Sequence, residues 1–195
     1  MWKSPPAKKF PTSKAQLRMP LVGRRHFLAG AGASLFVPGS AFANDSGVRQ
    51  LFFDNLHTGE KLKVEYWAQG QYLPDALAQV NHALRDFRSG DVYPIAPRLL
   101  DLLSVLRARL ETTEPVSVIS AYRSPKTNAM LRGEHEHSGV ASKSLHMQGM
   151  AIDIRIAGRS LAALHTAALA QRVGGVGYYP QSDFVHVDVG RVRTW

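Results

Sequence analysis

Residues 144–156 have the sequence SLHMQGMAIDIRI, in which a polar turn leads directly into an apolar strand. A glycine can tighten the turn that carries His146. Side chains alternate between the two faces of a strand, so Ala151, Asp153 and Arg155 share one face and the isoleucines share the other. An aspartate in an apolar strand is costly unless it is paired or coordinated. The segment therefore predicts a buried strand with a polar site on one face.

A second strand of this kind is predicted at residues 184–189, FVHVDV. Its alternating valines form the natural core face, which leaves His186 and Asp188 on a polar face. His146, Asp153 and His186 are therefore candidate zinc ligands. Zinc binds imidazole nitrogen and carboxylate oxygen at about 2.0–2.2 Å, and a catalytic site keeps a fourth position for water. Taken alone, a histidine in a strand is more often structural, and the aspartate can instead pair with a neighbouring arginine.

The rest of the chain mixes helices and strands without regular βαβ alternation, which favours an α+β fold. We expect one compact domain in which helices flank a central, mainly antiparallel sheet. Hydrophobic periodicity and turn residues predict strands at 48–53, 62–67, 116–121, 150–156, 176–179 and 184–189. They predict helices at 74–88, 97–110, 124–131 and 160–172, and a solvated polar loop at 132–143 that contains His135 and His137.

The positive charge of the chain is concentrated near its beginning. The 195 residues include 24 Lys and Arg against 15 Asp and Glu, a net charge of +9. Seven of the basic residues and none of the acidic ones lie in residues 1–43, so residues 44–195 are close to neutral. A nucleic-acid partner, which the net charge alone would suggest, is therefore not expected. The absence of cysteine excludes a disulfide framework, a cysteine-based zinc site and a thiol nucleophile.

Residues 1–43 resemble a twin-arginine export signal. Arg24 and Arg25 end a basic stretch, an apolar run follows at 27–37, and the small-x-small sequence at 41–43 is a cleavage site. The alternative is an uncleaved membrane anchor, but an apolar run of about 11 residues is too short to cross a ~30 Å hydrocarbon core. We therefore predict export to the periplasm or cell envelope, a mature domain at 44–195, and no stable membrane span after cleavage.

Taken together, the motifs resemble peptidase family M15, and within it the YcbK-like (DUF882) branch. The pattern S-x-H-x-x-G-x-A-x-D at 144–153 is followed by acid-x-x-H at 183–186. The similarity extends from NLHTGEKLKVEYW through SAYRSPKTNAMLR to GGVGYYPQSDFVHVDVG. Members of this family are zinc peptidases that cut peptidoglycan peptides. The resemblance implies a hedgehog/DD-peptidase-like domain that holds one zinc ion and takes peptidoglycan peptides as substrate.

The resemblance also implies roles for individual residues. The zinc ligands correspond to His146, Asp153 and His186, and the catalytic acid, three residues before the second histidine, corresponds to Asp183. Many members have glutamate there, which is one methylene longer. The arginine that orients the substrate corresponds to Arg123.

Two further residues are expected to support the ligands without binding the metal. Asp188 stands where many relatives have a second histidine, and we expect it to hold His186. Ser144 is expected either to fix the turn that carries His146 or to hydrogen-bond Asp153.

The predicted function is that of a zinc-dependent murein endopeptidase that hydrolyses peptide cross-links in the cell wall. The bond that is cut, D-Ala–diaminopimelate or diaminopimelate–diaminopimelate, stays open at this point, as does the oligomeric state. The alternatives are a D-Ala-D-Ala carboxypeptidase or dipeptidase, an amidase, and a non-catalytic wall-binding module that keeps zinc. The intact set of three ligands together with Asp183 and Arg123 argues against the binding module.

Overall fold

The computed structural model describes residues 47–133 and 140–195, which form eight strands and four α-helices. The strands are β1 (Val48–Asn55), β2 (Lys61–Ala68), β3 (Gln71–Tyr72), β4 (Val116–Ser120), β5 (Ala151–Ile156), β6 (Gly175–Tyr179), β7 (Phe184–Asp188) and β8 (Arg193–Thr194). The helices are α1 (Pro74–Ala83), α2 (Pro97–Arg109), α3 (Pro125–Gly133) and α4 (Leu161–Gln171). Short 3-10 helices occur at Leu145–Gln148 and Pro180–Ser182. The predicted export signal, His135 and His137 lie outside the described residues.

All eight strands belong to one sheet, in the order β3-β2-β1-β4-β5-β7-β6-β8. Neighbouring strands run antiparallel except at the β1–β4 and β6–β8 pairs, which are parallel. The predicted α+β class and mainly antiparallel sheet are therefore confirmed. None of the helices in the two described ranges is both long enough and apolar enough to cross a membrane.

Most predicted elements are present with small changes at their ends. The hairpin of β1 and β2 forms as expected, and Ser160 caps α4 by accepting a hydrogen bond from the backbone N–H of Ala163 at 3.2 Å. Helix α1 is shorter than predicted, because the chain beyond Ala83 closes a loop in which the backbone N–H of Gly90 donates to the carbonyl of Asp86. Strands β3 and β8 were not predicted, since two residues are too few to show periodicity.

One face of the sheet packs on a continuous hydrophobic core. Helices α1, α2 and α4 contact strands of the sheet. Ile152 and Ile154 of β5 and Val185 and Val187 of β7 are fully buried in this core. Burial of each such side chain contributes on the order of 1.5–3 kcal/mol. A shift of either strand by one residue would move these side chains to the opposite face, so the core fixes which face carries Asp153.

Gly149 joins the 3-10 helix at Leu145–Gln148 to the segment before α2. Its φ of 63° is left-handed, and its carbonyl accepts a hydrogen bond from the backbone N–H of Ala96 at 2.9 Å. A Cβ atom at this position would overlap the carbonyl oxygen of Pro94. The close approach of the two segments therefore requires glycine, and it positions the turn that carries His146.

We expect Gly149→Ala to lower the free energy of unfolding by about 3 kcal/mol, because left-handed strain adds to a backbone overlap. Gly158→Ala is the matched control: Gly158 has a similar φ of 69°, and a Cβ atom there meets nothing within 4 Å. The control should lose only about 1 kcal/mol. Urea unfolding of both variants measures the difference, and equal losses would show that the contact with Pro94 contributes nothing.

Candidate active site

Four strands bring small or polar residues into register on the face of the sheet opposite the core. Asp153 of β5 is paired with His186 of β7, and His186 is paired with Gly177 of β6. On its other side, Asp153 is paired with Ser120 of β4. We call these four residues the ligand row. His146 reaches the row from the 3-10 helix that precedes β5.

The structure brings the three predicted zinc ligands together, with all three side chains buried. Nε2 of His146 lies 3.2 Å from Nδ1 of His186 and 3.3 Å from Oδ1 of Asp153. Nδ1 of His186 and Oδ1 of Asp153 are 2.8 Å apart. Ligand atoms bound tetrahedrally at about 2.0–2.2 Å from one ion are separated by about 3.3–3.6 Å. The triangle formed by these atoms is close to the size that one such ion requires.

Each imidazole is held through its other ring nitrogen. Nδ1 of His146 lies 2.6 Å from the carbonyl oxygen of Ala121, which can only accept, so this nitrogen carries a proton. Nε2 of His186 donates to Oδ2 of Asp188 at 3.1 Å. These bonds leave Nε2 of His146 and Nδ1 of His186 facing Asp153, where each could bind a metal once its ring is neutral, the arrangement found around metal-bound histidines. Two imidazoles and one carboxylate fit zinc.

Asp188 is fully buried and is held by several donors at once. Its Oδ1 accepts from the backbone N–H groups of Gly175 at 2.8 Å and Gly190 at 2.9 Å, and Arg193 donates to its Oδ2 at 2.7 Å. Burial alone would raise the pKa of Asp188, but the hydrogen bonds from His186, Arg193 and the backbone hold this pKa well below its usual range. Asp188 therefore stays a carboxylate that orients His186.

The three candidate ligands differ in their electrostatic environment. Burial lowers the pKa of His146 and so favours its neutral form. Burial would raise the pKa of Asp153, but the two imidazoles outweigh it and hold this pKa well below its usual range. Burial would lower the pKa of His186, but the carboxylates of Asp153 and Asp188 outweigh it and raise this pKa. His146 is thus neutral and Asp153 ionised, the forms in which these groups bind metals.

Arg123 contacts the site directly, through Asp153. Its Nη2 donates to Oδ2 of Asp153 at 2.7 Å, and its Nε donates to Oγ of Ser120 at 2.9 Å. This pairing turns the other carboxylate oxygen, Oδ1, toward the histidines. Ser144 does not bond to Asp153; its Oγ accepts from the backbone N–H of His146 at 3.3 Å and so begins the 3-10 helix.

Asp183 lies apart from the other predicted site residues. Its side chain is 61% exposed and forms a surface ion pair with Arg155. Its φ of 53° is left-handed, at the junction between the 3-10 helix Pro180–Ser182 and β7. The structure therefore does not place its carboxylate against the three candidate ligands.

An open cleft of about 410 Å³ lies over the ligand row. Arg123, Lys143 and Arg193 supply positive charge to its walls, and Asp153 supplies negative charge. The walls also include three aromatic side chains, Tyr179, Phe184 and Trp195. The cleft can therefore admit an extended peptide to the edge of the candidate metal centre.

Several supporting groups were not predicted from the sequence, among them Asp86. Its Oδ2 accepts from the backbone N–H of Ser124 at 2.9 Å, and its Oδ1 accepts from the backbone N–H of Arg88 at 3.0 Å. Burial would raise the pKa of Asp86, but hydrogen bonds from Thr127, Ser124 and Arg88 lower it to about 2. Asp86 thus fixes the segment that carries Arg123. A single aspartate near the end of the predicted helix 74–88 gives no sequence signal for this role.

We expect Asp86→Asn to lower the free energy of unfolding at pH 7 by about 2 kcal/mol, because the folded-state pKa is depressed by nearly two units. A depressed pKa stabilises the fold above the unfolded-state pKa of about 4, and this stabilisation is lost as the pH falls to about 2. The difference between wild type and variant should therefore shrink over that interval in urea unfolding. Asp75→Asn, at an exposed carboxylate in α1, should cost less than about 1 kcal/mol at pH 7. A difference that does not change with pH would contradict the prediction.

Comparisons with known proteins show the family to which the chain belongs. A family model described as Peptidoglycan L,D-endopeptidase MepK, of the type Peptidase_M15_2, matches residues 43–195. The chain is 45% identical to the peptidoglycan L,D-endopeptidase MepK of Escherichia coli strain K12 over 177 residues, which cover 88% of this chain and 96% of the relative. It is 41% identical to the probable peptidoglycan L,D-endopeptidase MepK of Haemophilus influenzae over 148 residues, which cover 75% and 78%. The predicted relationship to the YcbK-like branch of family M15 is thus confirmed, and the chain belongs to the MepK family of M15 peptidoglycan endopeptidases.

Proposed function

We propose that this protein is a zinc-dependent L,D-endopeptidase that hydrolyses peptide cross-links of peptidoglycan. The observation that carries the proposal is the convergence of His146, Asp153 and His186 at the floor of an open cleft. The family and the names of the relatives supply the reaction and the substrate class. We further propose that residues 1–43 direct export, so that the enzyme acts in the periplasm.

The type of bond follows from stereochemistry. An L,D bond joins a carbonyl on an L-centre to an amine on a D-centre. The diaminopimelate–diaminopimelate cross-link has this arrangement, whereas the D-Ala–diaminopimelate cross-link has a D-centre on its carbonyl side. We therefore propose the diaminopimelate–diaminopimelate bond as the substrate.

The ligand side chains and Arg123 would share the work of binding and polarising the peptide. When bound by His146, Asp153 and His186, zinc would supply a Lewis acid and lower the pKa of a bound water to near 7. Arg123 uses Nη2 and Nε to hold Asp153 and Ser120, and it lines the cleft with its remaining N–H groups. Those groups can donate to a carbonyl or carboxylate oxygen of the substrate and offset negative charge that develops there.

Asp183 is proposed as the general base that takes a proton from the attacking water and passes it to the leaving amine. Its partner Arg155 lies two residues after Asp153 on the same face of β5, so the Cα atoms of these two strand residues are about 7 Å apart. A surface ion pair of this kind is worth about 1 kcal/mol or less, so the carboxylate can leave Arg155 at little cost.

One observation favours the wall-binding module as a second candidate function. Asp183 is paired with Arg155 outside the set of residues that line the cleft. A protein that binds the wall without hydrolysis needs no general base beside the ligands. Digestion of the wall separates the two functions.

Purified, zinc-loaded protein is expected to convert diaminopimelate–diaminopimelate dimers in isolated sacculi to monomers, as measured by chromatography and mass spectrometry. A chelator should abolish the reaction, and added zinc should restore it. Loss of terminal D-Ala alone would indicate a carboxypeptidase, and unchanged sacculi would favour the binding module. His146→Ala should lower activity at least ~1,000-fold and lose the metal. His57→Ala, which removes an exposed imidazole from the β1–β2 turn, is the matched control and should leave the activity and the bound zinc unchanged.

We expect Asp183→Asn to lower kcat by about 100- to 10,000-fold, the usual contribution of general acid–base catalysis. The bound zinc and KM should change little, because the side chain does not contact the ligands. Asp54→Asn is the control, since Asp54 also forms a surface ion pair, with Lys61 at 3.7 Å, but on β1. An unchanged kcat in Asp183→Asn would refute the assignment of the general base.

A further inference from the structure

The cleft has an aromatic side that the proposed chemistry leaves unused. It consists of Tyr179, Phe184 and Trp195, and we call it the aromatic wall. The rings of Tyr179 and Phe184 are stacked with their centroids 4.5 Å apart. Trp195 is 49% exposed and lines the cleft. An indole that served only to fill the core would be buried.

Trp195 is held in place by contacts from several directions. Its backbone N–H donates to the carbonyl of Val176 at 3.3 Å, and its carbonyl accepts from the backbone N–H of Tyr178 at 3.1 Å. Its Nε1 donates to the hydroxyl of Tyr179 at 2.6 Å. The guanidinium of Arg193 lies 4.9 Å from the ring centroid. The indole is therefore a fixed part of the cleft wall.

The sheet makes room for this indole next to a zinc ligand. A Cβ atom on Gly177 would lie 2.7 Å from the ring of Trp195, so the indole occupies the space where a side chain of β6 would lie. Gly177 is the partner of His186 in the ligand row, and the rings of His186 and Trp195 are 5.1 Å apart. Trp195 thus extends the ligand row on the side of His186.

Arg123 occupies the other end of the same row. It hydrogen-bonds Ser120 of β4, whereas Trp195 lies over Gly177 of β6, and β5 and β7 lie between them in the sheet. A peptide that lies along the row with its scissile bond at the ligands would meet Arg123 on one side and Trp195 on the other. The Arg123 end of the cleft therefore suits an oxygen of the substrate. At the other end Arg193 also lines the cleft, but its Nη atoms are bonded to Asp188 and to the carbonyl of Arg191, so the indole there suits an apolar group.

We propose that Trp195 and Tyr179 form a specificity subsite for the hydrocarbon part of the substrate residue on the side of the scissile bond away from Arg123. This inference rests on the proposed function, because it takes a peptide of the cross-link as the occupant of the cleft. Hydrocarbon rather than an ammonium group is the expected contact, since Arg193 already occupies a cation–π position on the indole. Trp195 acts by binding, so its removal should change KM and leave kcat nearly intact.

Kinetics on purified diaminopimelate–diaminopimelate dimers test the subsite. Trp195→Ala should raise KM about tenfold, keep kcat within about threefold and leave the zinc content unchanged. Trp195→Phe should raise KM much less than Trp195→Ala does, because an aromatic ring remains. Tyr179→Phe should also give a smaller rise in KM, because it removes only the hydroxyl that anchors the indole. Trp67→Ala is the matched control: Trp67 also carries an arginine, Arg49, at 4.8 Å from its ring, but it lies on β2. The control should leave KM unchanged.

Binding can be measured without turnover. The sequence has three tryptophans, so the variant Trp2→Phe/Trp67→Phe keeps Trp195 as its single indole. Titration with a disaccharide-tetrapeptide monomer, which has no cross-link to cut, should shift the fluorescence emission of Trp195 to shorter wavelength in a saturable manner. A shift without cleavage of dimers would uphold the subsite and refute the proposed function. Cleavage with no shift, or with an unchanged KM in Trp195→Ala, would overturn the subsite alone. A fall in zinc content in Trp195→Ala would also overturn it, since Trp195 would then only support His186.

Discussion

The buried charge of Asp153 is the constraint on which the site depends. Its carboxylate is only 4% exposed and lies in a sheet whose opposite face is hydrophobic core. A buried ion without partners costs several kcal/mol, so both oxygens must be satisfied. Arg123 binds one oxygen, and His146 and His186 face the other. A cation on the side that holds the two imidazoles would complete the compensation of charge. The contacts that make burial of this carboxylate possible therefore also make the three residues a candidate metal centre.

Residues far from the chemistry set the geometry of this centre. The isoleucines of β5 and the valines of β7 anchor the register of the two strands, and the register places Asp153 beside His186. A bulge between Val118 and Ser120 then aligns Ser120 with Asp153 and gives Arg123 its second partner. The same pairing of β5 with β7 thus places the hydrophobic core on one face of the sheet and the ligand row on the other.

The irregular order of helices and strands along the chain was enough to predict the α+β class. Alternation within two strands was enough to place Asp153 and His186 on polar strand faces. The hydrogen bonds that orient the site residues could not be predicted in this way, because the residues that they join show no local sequence pattern. The carbonyl of Ala121 holds His146, and Arg193 holds Asp188 from a two-residue strand. The position of Asp183 shows the same limit: its spacing from the second histidine is visible in the sequence, but its pairing with Arg155 depends on side-chain conformation and on a left-handed backbone.

Strand β8 connects the candidate metal centre to the aromatic wall. Arg193 donates to Asp188, which orients His186, and the same guanidinium lies against the ring of Trp195. One side chain therefore contacts both the carboxylate that orients His186 and the indole of the aromatic wall. The parallel pairing of β8 with β6 supplies the backbone bonds that hold this arginine in place. A strand of two residues, too short to be predicted from periodicity, therefore links the residue that orients His186 to the aromatic wall.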